Sequence, residues 1–155
     1  MQQLYSGGRN DELIKALLVA GVRFLVVGGL AVQFYCPSRQ ADDLDLLLEQ
    51  TPKNAGCLFK ALKSIGLEPG FSRDVIAKGG PRPQHLPLKQ HNFYTDLITQ
   101  PDLDFPTEWN QAIEGLIWQS RVRFASRAFL LELKGESFRP KDLADVALLT
   151  EHCRS

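Results

Sequence analysis

The sequence predicts an α/β (α+β) domain, a mixed β-sheet with helices mainly on one face, and three observations lead there. The chain has 155 residues, 44% of them hydrophobic and 23% charged, a size and balance that support one core and neither disorder nor a lipid-dissolved bundle. Strand-like runs at residues 23–27, 43–48 and 91–99 alternate with stretches of helical spacing, the pattern that lays strands into one sheet. Acids stand inside two of those runs, Asp43 and Asp45 in one and Asp96 in another, and they can act together only if their strands meet. The domain is read as residues 1–155, with C-terminal helices from about residue 126 packed on it.

Each element has its own local reason. Asn10-Asp11-Glu12 places a cap and two acids at a helix's positive end, with Leu13, Leu17 and Ala20 at helical spacing before Gly21. Residues 23–27 are apolar after Arg23, as in a central strand covered on both faces, and the run stops at Gly28-Gly29. A short helix from Leu30 to Tyr35 follows, closed by Cys36-Pro37-Ser38. After the second strand, Thr51-Pro52 is a cap with proline at the first helical position, opening a helix to about Ile65 before Gly66. Residues 68–90, rich in Gly and Pro, read as irregular with one weak strand at 75–77, and residues 91–99 recover β character. Pro106 opens a helix to about Glu114, residues 122–124 form a last strand, Ser126 caps a helix through Lys134, and Pro140 opens a final helix ending near Glu151.

Eighteen basic and eighteen acidic residues cancel to a net charge of 0, so no global field draws the protein to nucleic acid or an anionic membrane. The most apolar stretch, residues 24–32, is far short of the ~20 residues of a membrane helix. With no export signal visible, the expected compartment is the cytoplasm. Cys36, Cys57 and Cys153 lack Cys-x-x-Cys spacing and are expected as buried reduced thiols. His85, His91 and His152 have no metal-ligand spacing and are expected at the surface, and Trp109 and Trp118 in the core.

Asp43-Leu44-Asp45 is the most informative tripeptide. Alternate strand residues share a face, so the two carboxylates project together about 6.6 Å apart at Cα while Leu44, Leu46 and Leu48 face a core. Paired carboxylates repel unless a cation or proton lies between them, and Mg²⁺ held by one or two carboxylates plus substrate phosphates is the common solution. Gly28-Gly29, between a buried strand and a helix, lets phosphate approach backbone N–H groups. Asp96, flanked by apolar neighbours, is costly to bury unless paired or metal-bound.

In order, the blocks Val26-Val27-Gly28-Gly29-Leu30-Ala31-Val32, Arg39-Gln40-Ala41-Asp42-Asp43-Leu44-Asp45-Leu46, Thr95-Asp96-Leu97-Ile98 and Arg139-Pro140-Lys141-Asp142-Leu143-Ala144-Asp145 resemble the nucleotidyltransferase superfamily that includes DNA polymerase beta. Within it the chain looks like a minimal nucleotidyltransferase, similar to the nucleotidyltransferase-like toxins of abortive-infection, type IV toxin–antitoxin systems. The resemblance implies that Asp43, Asp45 and Asp96 hold Mg²⁺ (or Mn²⁺) and carry catalysis, Asp96 helping to deprotonate or orient the acceptor. It implies that Gly28, Gly29, Arg39 and Lys141 meet the nucleoside triphosphate, and that the acceptor is a hydroxyl of a tRNA, a protein or a small molecule. Ala41 departs from the family's usual Thr, and Asp142 and Asp145 are read as structural. The other reading is a catalytically silent binding module acting through a protein partner such as a cognate antitoxin.

Overall fold

The structure, a computed structural model, describes residues 3–89, 91–135 and 139–151. In chain order the elements are β1 (Gln3–Leu4), α1 (Asn10–Val19), β2 (Phe24–Val27), α2 (Gly28–Tyr35), β3 (Leu44–Leu48), α3 (Pro52–Ser64), α4 (Arg73–Ala77), β4 (Gln84–Leu88), β5 (Thr95–Thr99), α5 (Phe105–Gln111), β6 (Ile113–Ile117), β7 (Ser120–Phe124), α6 (Arg127–Gly135) and α7 (Pro140–Glu151). The strands form one mixed sheet in the order β1-β6-β7-β2-β3-β5-β4. The α/β class with a mixed sheet is the one the sequence predicts.

Two central pairings position everything else. Antiparallel β2 and β3 set Val27 opposite Asp45, and parallel β3 and β5 set Asp45 beside Asp96. The alternation of β5 is visible in its burial: Thr95, Leu97 and Thr99 are buried while Asp96 and Ile98 are half-exposed. All four residues of β2 are buried, as befits a strand near the middle of the sheet and covered on both faces. The Asn10 side chain of α1 bonds Thr95, which places α1 on the face opposite the acids. α2 begins on the acid-bearing face, where Gly28 meets Asp45, and packs against α6 and α7. On the β4–β5 part of that face His85 and Pro87 are exposed and Asp96 and Ile98 half-exposed. Among the described residues sixteen of the buried apolar side chains are leucines, each contributing roughly 1.5–3 kcal/mol when fully buried.

Some elements form where the local signals put them. Thr51 Oγ1 accepts a hydrogen bond from the Asn54 N–H at 3.1 Å and Pro52 opens α3. Ser126 Oγ accepts from the Phe129 N–H at the start of α6. Others differ from expectation. Residues 75–77 belong to helix α4, and the strand of this region is β4 at Gln84–Leu88, a strand only because β5 offers an edge to pair with. Residues 91–94 stay outside β5, with His91 and Asn92 at positive φ. The helix opened near Pro106 stops at Gln111, and Ile113–Ile117 instead forms the outer arm of a hairpin with β7. Trp109 packs on the core, but Trp118 sits exposed in the β6–β7 turn. Cys36 is disulfide-bonded, not a thiol, and Cys57 is free. Cys153 and His152 lie outside the described residues. Among the described residues no helix is long and apolar enough to cross a membrane.

The Thr51 cap gives a direct check. Thr51→Ala should lower unfolding stability by about 1 kcal/mol, read as a shift of the urea midpoint at constant slope, since only one helix-end donor loses its partner.

Candidate active site

β3 and β5 run parallel, and their register makes Asp45 and Asp96 Cα partners, so two carboxylates stand side by side on adjacent strands spaced roughly 4.8 Å apart. Asp43 lies one residue before β3 and is exposed. Asp45 feels the crowding: burial raises its pKa above the ordinary 3.8, the Asp96 and Asp43 carboxylates raise it further, and His85 and Lys89 offset part of this. Lys89, just past the end of β4, brings its Nζ to 3.5 Å from Asp96 Oδ2. Among the described residues no group of three His, Cys, Asp or Glu side chains is arranged to ligate one ion.

Gly28 is the first residue of α2 and has φ +69, a left-handed conformation that side chains resist. Space forbids a side chain as well, since a Cβ built there would lie 2.0 Å from Asp45 Oδ2. The helix end can therefore touch the acids only because residue 28 is glycine. At Gly29 a Cβ would come within 3.0 Å of Arg39 and 3.1 Å of Ala41, so the first turn of α2 keeps bare backbone towards the cleft.

A cleft of about 1020 Å³ unites the residues that the sequence singles out: Asp43, Asp45, Asp96, Gly28, Gly29, Arg39 and Lys141 all line it. Their states differ. Lys141 is exposed on the wall. Arg39 is engaged, its Nε 2.7 Å from Asp145 Oδ1. Lys134 Nζ lies 3.0 Å from Asp145 Oδ2 and 3.1 Å from Asp142 Oδ1, and Arg139 lies 2.9 Å from Asp142. Asp145 is 1% exposed. Burial by itself raises its pKa, but the hydrogen bonds from Arg39 and Lys134 and their charges prevail and hold it below the ordinary carboxylate value. The structural role expected of Asp142 and Asp145 is what this ionic knot gives them.

Three cleft residues escaped the sequence. His85 and Lys89 follow at alternate positions of the same strand region, on the face that Pro87 shares with its partner Asp96. The period-two rule could have found them had β4 been recognised. Gln33, one turn beyond Gly29, presents a buried Oε1 that has no hydrogen-bond partner among the described residues, a condition that buried polar atoms rarely tolerate unless a ligand or water meets them.

Compared with family models and with curated protein sequences, the chain has no match. Its fold does have likenesses among solved structures. The crystal structure of the lincosamide antibiotic adenylyltransferase LnuA, lincomycin-bound, superposes with a TM-score of 0.58 at 17% identity, over 94% of this chain and 99% of that one. An antigenic nucleotidyltransferase-like protein from Paracoccidioides brasiliensis gives a TM-score of 0.49 at 17% identity, over 93% and 78%. The first of these shows that the chain shares the fold of that adenylyltransferase.

The acids at the two ends of the cleft should respond to pH with opposite signs. A carboxyl whose folded pKa is raised stabilises fully below its unfolded pKa and loses that contribution as pH rises through the folded value. Asp45→Asn should therefore melt higher than the parent at pH 7 without divalent metal, the difference shrinking as pH falls towards 4. Asp145, with a lowered pKa, contributes above its unfolded pKa and loses this as pH falls below the ordinary carboxylate range. Asp145→Asn should thus destabilise at pH 7, by on the order of 3–5 kcal/mol for a broken buried pair. Thermal melts across pH 3–8 separate the two.

Proposed function

We propose that the chain is a metal-dependent nucleotidyltransferase that moves a nucleoside monophosphate from a nucleoside triphosphate to a hydroxyl acceptor and releases pyrophosphate. The observation that carries this is the register pairing of Asp45 with Asp96 at the point where the bare glycine start of α2 touches Asp45. A carboxylate pair beside a helix N-terminus has opposite uses for charge unless a cation–phosphate ligand satisfies both. The helix end favours anions, and the paired acids favour a cation.

The donor set fits Mg²⁺ or Mn²⁺. Hard carboxylate oxygens from one or two side chains, completed by phosphate oxygens, are how Mg²⁺ is usually held in such sites, and Asp43, Asp45 and Asp96 would supply them. When bound, the ion neutralises charge on the attacking and leaving oxygens. The remaining work falls to the protein. Backbone N–H groups at Gly28 and Gly29 orient the triphosphate, and Lys141 adds charge from the wall. Ala41 brings no hydroxyl to that loop. The acceptor oxygen attacks the α-phosphorus as the bond from that phosphorus to the bridging oxygen breaks. Pyrophosphate departs with the electron pair, and the acceptor's proton passes to the Asp96 carboxylate and on to solvent.

In-line displacement puts acceptor and leaving group on opposite sides of phosphorus. With the triphosphate at α2, the acceptor comes over the β4–β5 face, past His85, Ile98 and Gln100, which line the cleft there. A tRNA end, a protein or a small molecule would each suit this chemistry. The fold neighbour named an adenylyltransferase was solved with a small antibiotic bound, which adds weight to the last. A role as the toxin of a cytoplasmic toxin–antitoxin pair follows from the family resemblance. A second reading, a catalytically silent module acting through a partner such as an antitoxin, draws on Arg39, whose guanidinium is taken up by Asp145.

Incubation with each labelled triphosphate, Mg²⁺ and a cell extract should label a discrete acceptor. Asp43→Asn and Asp96→Asn should each lower transfer at least ~100-fold, on the order of 2.7 kcal/mol of barrier, while remaining folded. Absence of labelling with all four triphosphates would favour the silent module. Gly28→Ala should abolish transfer as well, because its Cβ displaces the Asp45 carboxylate.

A further inference from the structure

Asn10 reads in the sequence as a helix cap, but its side chain caps nothing: the residue preceding α1 is Arg9 and no side-chain cap bond forms. Its amide is instead 0% exposed and fully engaged away from the helix. Nδ2 donates to Tyr94 O at 2.9 Å and to Ser6 Oγ at 2.8 Å. Oδ1 accepts from Tyr94 N at 2.9 Å and from Thr95 Oγ1 at 2.8 Å. Two donors and two lone pairs are all that a carboxamide has, and all four are used.

These bonds converge on the reacting end of the sheet. The Tyr94 carbonyl that Asn10 holds also accepts the Leu44 N–H at 3.0 Å, and Leu44 lies between Asp43 and Asp45. Ser6, held by Asn10, donates its hydroxyl to the Asp42 carbonyl at 2.5 Å, and the Gly7 N–H donates to the same oxygen at 2.9 Å. Arg9 N donates to Asn92 O at 2.8 Å. Gly8, at φ +59, lies against that carbonyl so closely that a Cβ would stand 2.2 Å from it. Residues 6–10 thus form a strap tied on one side to the residue before Asp43 and on the other to the two residues before Asp96.

We propose that Asn10, acting through Ser6, is a positioning residue that sets the distance between the Asp43–Asp45 segment and Asp96, and so governs how tightly a divalent cation and a triphosphate bind together. The proposal rests on the nucleotidyl-transfer reading above. Asp would keep the two acceptances and lose both donations, and Ser or Ala cannot span to Tyr94. Asn10 touches neither substrate nor metal, and its effect reaches them through backbone it fixes.

The test compares Asn10→Asp and Ser6→Ala with Leu17→Ala, a buried α1 residue whose side chain takes no part in the strap. Mg²⁺ is titrated at fixed concentrations of each of the four ribonucleoside triphosphates, and backbone amide exchange is followed at Leu44 and Tyr94. Both strap variants should need at least ~10-fold more Mg²⁺ for half-maximal nucleotide binding, the effect typical of removing the support of a metal ligand. They should exchange Leu44 and Tyr94 faster while amides in the middle of β2 keep their protection. Leu17→Ala should lower the melting temperature and leave the Mg²⁺ requirement unchanged. An unchanged Mg²⁺ requirement in folded strap variants, or an equal rise in Leu17→Ala, overturns the proposal; if Asn10→Asp does not fold, Ser6→Ala decides alone. A parent protein that binds no triphosphate at any Mg²⁺ concentration would remove the nucleotidyl-transfer reading and the proposal with it, a result distinct from a binding parent with unaffected variants.

Discussion

Two like charges held in register across adjacent strands are the constraint around which this end of the molecule is arranged. The β3–β5 pairing that buries Leu44, Leu46, Thr95 and Leu97 on one face leaves no choice about the other, because a strand alternates and Asp45 and Asp96 must then emerge together. Hydrophobic burial on the far face therefore holds together a repulsive pair on the near one. The surroundings temper that repulsion without removing it. Lys89 leans on Asp96, solvent reaches both carboxylates through the cleft, and the start of α2 is aimed at Asp45. The raised pKa of Asp45 comes first from its burial and then from this repulsion, and shifts of this kind concentrate where a protein meets a ligand.

The opposite wall is built on a different balance. Arg39, Lys134, Asp142 and Asp145 gather nearly out of solvent between the loop after α2 and the two C-terminal helices. Such a knot gains little stability over an apolar core of the same volume, because desolvating the charges offsets most of their attraction. What it adds is definition. Arg39 from the loop after α2 and Lys134 from α6 share the Asp145 carboxylate of α7, which joins the three segments at one point. The same knot fixes residues 39–41 near the first turn of α2.

Features governed by near neighbours in the chain were legible. The Thr51-Pro52 start of α3 and the proline opening of α7 need only the residues beside them, whereas the helix expected from Leu30 begins two residues earlier, at Gly28. The three acids were legible as candidates because strand alternation is also local. What escaped reading depends on partners distant in sequence. β4 carries Pro87 and exposed His85 in a Gly- and Pro-rich stretch, and becomes a strand by docking on β5. β6 begins where the helix pattern opened near Pro106 runs on in sequence, and is fixed by its hairpin with β7. His85, expected only as a surface residue, and Lys89 are not legible as cleft residues for the same reason, since a residue cannot be placed on a sheet face before its strand is known. Asn10 was seen as a good cap by composition, and only the position of Tyr94, eighty-four residues away, turns it to another use.

Pro87, the fourth of the five residues of β4, has a bearing on association. β4 is the last strand of the sheet on the cleft side, and an edge of this kind ordinarily offers a continuous row of amide donors and acceptors to any extended chain that drifts alongside. Proline has no N–H, so it settles in a sheet only where that position would have faced solvent. An incoming strand meets a ring methylene at the fourth of the five residues of β4 and finds the zipper interrupted there. The cleft can thus keep one flank exposed without that flank recruiting a second copy of the protein by strand addition.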